Sequence, residues 1–232
     1  MAAQNVRKQK GSIIMSLLEQ RAMRFSSKRY GNMVQLKAIP GHFATNHSHV
    51  NYFIDLTTIK RNHAEALACA RALARYFATT MKPVETIVCL DGTDVIGAFL
   101  AKEICDSMHI SHQFKYTIDV VHPECNSNCQ FFFRENVEPM IRGKHVILLM
   151  ASVTTGITIR HGMECMEYYG GKLEGVSTIF SAVKEMDGMP INTIFTPDDI
   201  PGYASYDRRT CPYCQKNQRV QALINSFGYS QI

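Results

Sequence analysis

A turn rich in hydroxyl side chains carries the clearest chemical signal in this sequence. It follows an apolar segment at residues 145–150 and contains Thr154, Thr155, Gly156 and Thr158. The threonines can donate hydrogen bonds to an anion, and Gly156 lets the backbone approach a phosphate closely. A helix pattern begins directly afterwards, and a helix N-terminus adds unpaired N–H groups and positive potential. The pattern therefore predicts an anion-binding loop, with a polar turn that binds nothing as the alternative.

Two pairs of cysteines are the second candidate for chemistry. Two residues separate Cys211 from Cys214, so both thiolates can reach one tetrahedral Zn²⁺. One pair supplies only half of such a site. Cys125 and Cys129 can supply the other half, and so can histidines. We therefore predict a structural Zn²⁺ held by Cys211, Cys214, Cys125 and Cys129. Unliganded thiols and a redox pair are the alternatives, because a Cys-x-x-Cys pair at a helix start has a lowered thiol pKa.

Three histidines, His42, His47 and His49, lie in a loop between two short predicted strands. Neutral imidazole can bind a metal ion or act as an acid and base. A single loop histidine is typically exposed and without such a role. As a group, the three are candidates for contact with a ligand.

The elements that must position these residues alternate between strand and helix. Strand patterns at residues 86–90, 145–150 and 176–183 flank helix patterns at 95–106 and 159–169. This alternation predicts an α/β fold with a parallel sheet and right-handed crossovers. Ligands of such sheets bind beyond the carboxyl ends of the strands, where the threonine turn lies.

The two ends of the chain differ from this central pattern. Residues 12–29 have the apolar spacing of an amphipathic helix, with Ser12 as its N-cap. After residue 195 the chain carries the Cys-x-x-Cys pair and a short helix pattern near residues 219–226. We therefore divide the chain into a helical extension (1–36), an α/β domain (37–195) and a cysteine-containing tail (196–232).

Composition and charge exclude several classes of protein. The 232 residues are 46% hydrophobic and 19% charged, which is typical of a globular chain. The longest apolar run is residues 146–151, whereas a membrane-spanning helix needs about 20 apolar residues. The net charge of +5 includes no dense basic run beyond residues 7–10, so nucleic acid is not an expected partner. The N-terminus does not match a signal peptide, and we expect a cytoplasmic protein.

The threonine–glycine loop entered from a hydrophobic strand resembles the 5′-phosphate loop of type I phosphoribosyltransferases. Within that family the chain is most similar to the orotate phosphoribosyltransferases, over residues 37–182. Gly41-x-Phe43, followed by residues 52–55, resembles their initial segment. Residues 91–94 fall at their pyrophosphate loop. The resemblance implies the α/β fold of that family and a homodimer.

The resemblance also implies a function and a set of site residues. The activity would be transfer of ribose 5-phosphate from phosphoribosyl pyrophosphate (PRPP) to a pyrimidine base, usually with Mg²⁺, which Asp91 and Asp94 can contact. A turn aspartate that caps the following helix is the alternative for Asp94. The implied phosphate-binding residues are Ser152, Thr154, Thr155, Gly156, Ile157 and Thr158, and the implied pyrophosphate-binding residues are Asp91, Gly92, Thr93 and Arg134.

Three departures from the family pattern bear on activity. Met150 and Ala151 stand where the family has two carboxylates that hold the ribose hydroxyls. Hydrogen bonds to charged groups contribute about 1.5–3 kcal/mol each, so their loss weakens ribose binding by about 10²-fold or more. Residues 123–139 contain no lysine, and residues 46–49 replace a Ser-Gly-basic turn. A binding or regulatory protein for PRPP or a nucleoside monophosphate is therefore the alternative to a transferase. A zinc-stabilised interaction module is the third possibility.

Overall fold

The computed structural model describes residues 18–80, 82–107, 116–126 and 130–232. In chain order the strands are β1 (Met23–Ser27), β2 (Gly31–Ala44), β3 (His49–Asp55), β4 (Thr86–Cys89), β5 (Asp119–Val121), β6 (Glu124–Cys125), β7 (Phe131–Phe132), β8 (His145–Val153), β9 (Lys172–Ser181), β10 (Glu185–Met186), β11 (Met189–Phe195), β12 (Ser205–Tyr206), β13 (Ala222–Asn225) and β14 (Gly228–Gln231). The α-helices are α1 (Thr57–Arg61), α2 (His63–Thr80), α3 (Asp94–Ser107), α4 (Ile157–Tyr168) and α5 (Pro212–Gln215).

The continuous apolar segments form a mostly parallel central sheet with the order β10-β11-β9-β8-β4-β5. Each neighbouring pair is parallel except β10 with β11, which close one edge as an antiparallel pair. All four residues of β4 are buried, as expected for a strand whose two faces are both covered.

Alternation along β8 shows how helices cover the two faces of this sheet. Ile147 and Leu149 belong to the core that includes the apolar sides of α2 and α3. Leu148 and Met150 belong to a second core, with α4. Because successive side chains of a strand point to opposite faces, α2 and α3 lie on one face and α4 on the other. The loop between β8 and α4 is therefore at the carboxyl end of a central strand.

A second sheet contains both ends of the described chain. Its order is β12-β3-β2-β13-β14, with β1 paired to β2 as well. Strand β13 from the tail lies parallel to β2, with Ala222 opposite Phe43. The boundary predicted at residue 37 falls within β2, and tail strands β13 and β14 belong to the same sheet as β2.

The predicted α/β fold with a parallel sheet is confirmed, but two predicted helices are wrong. Of the helix predicted at 12–29, residues 12–17 lie outside the described residues and 18–20 are helical, whereas Met23–Ser27 form a strand. The tail segment predicted as a helix contains β13. Both segments pair with β2, and the hydrogen bonds of that pairing outweigh a weak local helix preference. None of the described helices has the length and apolar character that crossing a membrane requires.

Candidate phosphate-binding site

The turn between β8 and α4 has the geometry of an anion-binding loop. Gly156 is the N-cap residue of α4 and has a left-handed conformation, with φ at +83°. A Cβ on this residue would lie 2.1 Å from Cε of Met186, so the end of the Met186 side chain would have to move to admit a side chain. Among the described residues, no side chain caps the first turn of α4. The N–H groups of that turn are therefore available to a ligand.

A cavity of about 900 Å³ lies at the carboxyl ends of β4 and β8, and it brings most of the predicted site residues together. Its lining includes all six predicted phosphate-binding residues, Ser152, Thr154, Thr155, Gly156, Ile157 and Thr158. It also includes Asp91, Gly92 and Asp94 from the turn between β4 and α3. Two turns that are more than 50 residues apart in sequence thus face one space, because β4 and β8 are neighbouring parallel strands.

The turn after β4 is shaped by two consecutive left-handed residues, Asp91 with φ at +59° and Gly92 with φ at +72°. Burial raises the pKa of the Asp91 carboxyl, while a hydrogen bond to Ser226 and the charge of Lys60 act in the opposite direction. The backbone of Ala151 lowers this pKa as well. Asp91 therefore lies close to both loops.

Lys60, in α1, holds this turn against the C-terminal tail. Its ammonium group donates to the backbone oxygens of Asp91 at 2.6 Å and Ser226 at 2.5 Å, and the residue is only 3% exposed. Desolvation lowers the pKa of Lys60, and the nearby Asp91 partly offsets this. Sequence reasoning missed Lys60, because a single lysine in a polar segment gives no signal of burial.

Two predicted pyrophosphate-binding residues do not reach the cavity. Thr93 is fully buried, and its hydroxyl donates to the backbone oxygens of Leu90 at 2.8 Å and Leu149 at 3.2 Å. Arg134 is exposed beside the ribbon of β6 and β7, where it donates two hydrogen bonds to Glu124 at 2.6 and 2.7 Å. Neither is among the described residues that line the cavity. The threonine supports the turn from inside, and the arginine already has a carboxylate partner.

Comparisons with known proteins show what kind of fold carries this cavity. No protein-family model matches the sequence, and no curated protein is detectably similar to it. Among solved structures, orotate phosphoribosyltransferase of Mycobacterium tuberculosis H37Rv, in complex with Fe(III) dicitrate, superimposes with a TM-score of 0.50 at 16% identity. That match covers 72% of this chain and 93% of the other. UMP synthase of Leishmania donovani has a TM-score of 0.51 at 13% identity, over 78% of this chain and 36% of the other.

The chain has the type I phosphoribosyltransferase fold. The fold inferred from the threonine–glycine loop is thus confirmed, and at this identity the likeness concerns the fold alone.

Two apolar residues occupy the end of β8, and one of them, Met150, belongs to the cavity lining. Met150 is 1% exposed and lines the cavity, and Ala151 is fully buried. Neither side chain has a carboxylate that could accept a hydrogen bond from a ribose hydroxyl. Among the described lining residues, the acidic ones are Asp91 and Asp94, and there is no lysine or arginine.

The four predicted zinc ligands do not all lie together, and neither do the three loop histidines. Cys211 and Cys214 lie with His42 and His49, and all four ligand atoms are within 4.8 Å of one another. Cys125 is exposed in β6 and is not a member of this group. Cys129 lies outside the described residues. His47 is not a member of this group either, and it lines the cavity instead. His42 and His49, and not Cys125, are therefore the residues that meet the Cys-x-x-Cys pair.

Proposed function

We propose that this protein binds a ligand built on ribose 5-phosphate, either PRPP or a nucleoside 5′-monophosphate. The observation that carries the proposal is the open N-terminus of α4, with Gly156 at φ +83°, facing the cavity. In this proposal the 5′-phosphate accepts hydrogen bonds from the first N–H groups of α4 and from the hydroxyls of Thr155 and Thr158. The helix dipole adds favourable potential for the anion.

The size and lining of the cavity suit a nucleotide. Its volume of about 900 Å³ lies within the range of about 300–1,000 Å³ that is usual for small-molecule sites. The aromatic side chains that line the cavity are Tyr52, Phe53, Phe131, Phe180, Tyr203 and Phe227, of which Phe53 and Phe180 are buried. Aromatic rings can stack on a nucleobase. The cavity therefore offers a polar end for a phosphate and an apolar wall for a base.

The lining of the cavity favours binding over turnover. Met150 lines the cavity without a charged acceptor for the ribose hydroxyls, and Ala151 is fully buried outside the lining, so we expect the ribose to be held weakly. Catalysis of phosphoribosyl transfer depends on holding the two reactants in one orientation. We therefore favour a binding or regulatory protein for a nucleoside 5′-monophosphate or PRPP.

Phosphoribosyl transfer to a pyrimidine base is the second candidate function. It is favoured by the position of Asp91, Gly92 and Asp94 opposite the phosphate loop in the same cavity. A diphosphate there needs a cation, since no lysine or arginine is among the described lining residues. Asp94 could contact a Mg²⁺ ion shared with the ligand's phosphates through Oδ2, because its half-exposed carboxylate lines the cavity and uses Oδ1 for a contact of 3.0 Å with Nδ1 of His122. When bound, Mg²⁺ would neutralise the charge of the leaving pyrophosphate.

One experiment separates these functions. Isothermal titration calorimetry with UMP, ribose 5-phosphate and PRPP, each with and without Mg²⁺, measures binding, and uridine serves as the control without a phosphate. Pyrophosphate release is then measured with PRPP, Mg²⁺ and a panel of bases that includes orotate and uracil. Binding without release supports the favoured function, and release supports the transferase. If no phosphorylated ligand binds more tightly than uridine, both are wrong.

A further inference from the structure

Four metal-binding side chains from opposite ends of the chain meet beside the second sheet. His42 lies in β2, His49 begins β3, Cys211 immediately precedes α5, and Cys214 lies within α5. We call these residues the Cys–His cluster. His42, His49 and Cys211 are buried, with 4%, 9% and 0% exposure, and Cys214 is on the outer side. The cluster is separate from the phosphate loop.

Four of the six distances between the ligand atoms of the Cys–His cluster match a tetrahedral site. Nε2 of His42 lies 3.1 Å from Nδ1 of His49, 3.5 Å from Sγ of Cys211 and 3.8 Å from Sγ of Cys214. Nδ1 of His49 lies 3.3 Å from Sγ of Cys214. Around tetrahedral Zn²⁺, the usual bond lengths place two nitrogens about 3.3 Å apart and a nitrogen and a sulfur about 3.6 Å apart. Each measured distance is within about 0.3 Å of these values.

The orientation of His42 also suits metal binding. Its Nδ1 lies 3.0 Å from the backbone oxygen of Gln218. A carbonyl oxygen can only accept, so Nδ1 carries the proton, and the lone pair of neutral Nε2 points into the cluster. Such a hydrogen bond on the second nitrogen is the usual support of a metal-bound histidine. The irregular register of β2 between Pro40 and Phe43 directs His42 to this position, because an extra residue in a strand re-aims the neighbouring side chains.

The donor set distinguishes a metal site from a redox pair. A redox pair requires only Cys211 and Cys214, whereas Nε2 of His42 and Nδ1 of His49 also converge on their sulfurs. Two thiolates and two imidazoles in a tetrahedral arrangement select zinc. We propose that the Cys–His cluster binds one structural Zn²⁺ ion, which fastens the C-terminal tail to the phosphoribosyltransferase fold.

The position of the cluster gives this zinc ion a role in forming the cavity. His42 and His49 hold the two ends of a loop whose residues Thr45 to His47 line the cavity. On the tail side, the backbone N–H of Gln221 donates to the oxygen of His42 at 2.8 Å, and β13 then pairs with β2. The tail continues along the cavity, where Ser226 meets Asp91 and Lys60. The zinc ion thus anchors two walls of the cavity.

Metal analysis of the full-length protein, purified without a polyhistidine tag and without chelator, tests the proposal. We expect one equivalent of zinc per chain by inductively coupled plasma mass spectrometry. His49→Gln and Cys211→Ser should each reduce zinc by at least fivefold, and Cys125→Ser should retain it as a matched control. No metal, an equivalent of another metal, or zinc lost with Cys125→Ser but kept with His49→Gln would overturn the proposal.

Two further measurements keep the test decisive if a variant does not fold. Wild-type protein exchanged into Co²⁺ should show the intense visible absorption of a tetrahedral site and thiolate-to-metal charge transfer. Octahedral absorption would contradict the assigned ligands.

Removal of zinc from the wild type by a chelator should weaken UMP or PRPP binding by about tenfold, since contacts from Ser226 and its neighbours are lost. Zinc content is measured without ligand, so failure of the proposed nucleotide binding would leave that result intact.

Discussion

Replacement of Gly156 by alanine probes the candidate phosphate loop most directly. Gly156 has φ at +83°, and alanine in a left-handed conformation costs about 1–2 kcal/mol. The new Cβ would also lie 2.1 Å from the methyl end of Met186, which must move. The loop is expected to relieve both effects by leaving the left-handed conformation, which turns the first N–H groups of α4 away from the cavity.

The expected magnitudes follow from these contacts. A strain of about 1–2 kcal/mol in a chain of this size lowers the melting temperature by roughly 2–8 °C. Loss of one charge-assisted hydrogen bond to the phosphate costs about 1.5–3 kcal/mol, so the dissociation constant for UMP or ribose 5-phosphate should rise about 10- to 100-fold. Differential scanning calorimetry measures the first quantity, and isothermal titration calorimetry measures the second.

Gly143→Ala is the matched control for this variant. Gly143 has φ at +72°, and a Cβ there meets nothing within 4 Å. It lies just before β8, whereas Gly156 follows the end of the same nine-residue strand. The two sites are therefore about 30 Å apart at about 3.3 Å per residue. Gly143→Ala should lose similar stability from backbone strain and keep its ligand affinity. Equal affinities of the two variants would refute the phosphate-loop assignment.

Three further changes test other parts of the structure. Thr155→Ala should weaken phosphate binding by about 1–2 kcal/mol in the same calorimetric titration, and an unchanged affinity would count against a hydroxyl contact. Lys60→Met should lower the free energy of unfolding in urea by about 1.5–3 kcal/mol, because the oxygens of Asp91 and Ser226 lose a charged donor; full stability would show that their pairing is dispensable. Asp55→Asn should destabilise the protein at pH 7 but not at strongly acidic pH. Burial alone would raise the pKa of Asp55, yet hydrogen bonds from Thr57 and the charge of Lys37 lower it. The stabilisation is therefore present above the usual pKa of 3.8 and is lost as the pH falls through the lower folded-state value. Urea unfolding at several pH values measures this difference, and a difference independent of pH would contradict it.

Prediction from the sequence was most accurate for elements whose structure depends on residues close together in the chain. The apolar run of β8 and the helix spacing of α4 are local patterns, and the turn between them contains Gly156 at the position that requires a left-handed residue. The central sheet and the grouping of the threonine–glycine loop with the Asp91–Gly92 turn followed from this alternation, because parallel strands bring their carboxyl ends to one edge.

Prediction failed where partners distant in sequence competed with the local pattern. Residues 23–27 have helix-like spacing but form β1, since Met23 pairs with Ala38. The tail segment 222–225 was predicted as helix and pairs with β2 instead. The hydroxyl of Thr93 points inward, where it donates to the backbone oxygens of Leu90 and Leu149. A turn hydroxyl can face inward or outward, and only the packing around it determines which.

The sequence alone predicted the parallel α/β sheet, and it determined that Met150 and Ala151, rather than carboxylates, precede the threonine–glycine turn. These properties depend on residue type and on spacing within a few turns of chain. Only the tertiary structure decided that His42 and His49, rather than Cys125, meet Cys211 and Cys214, and that the tail lines the cavity. His42 and Cys211 are 169 positions apart. Contacts over such a separation depend on how whole strands pair and pack, and no local pattern of residues encodes that arrangement.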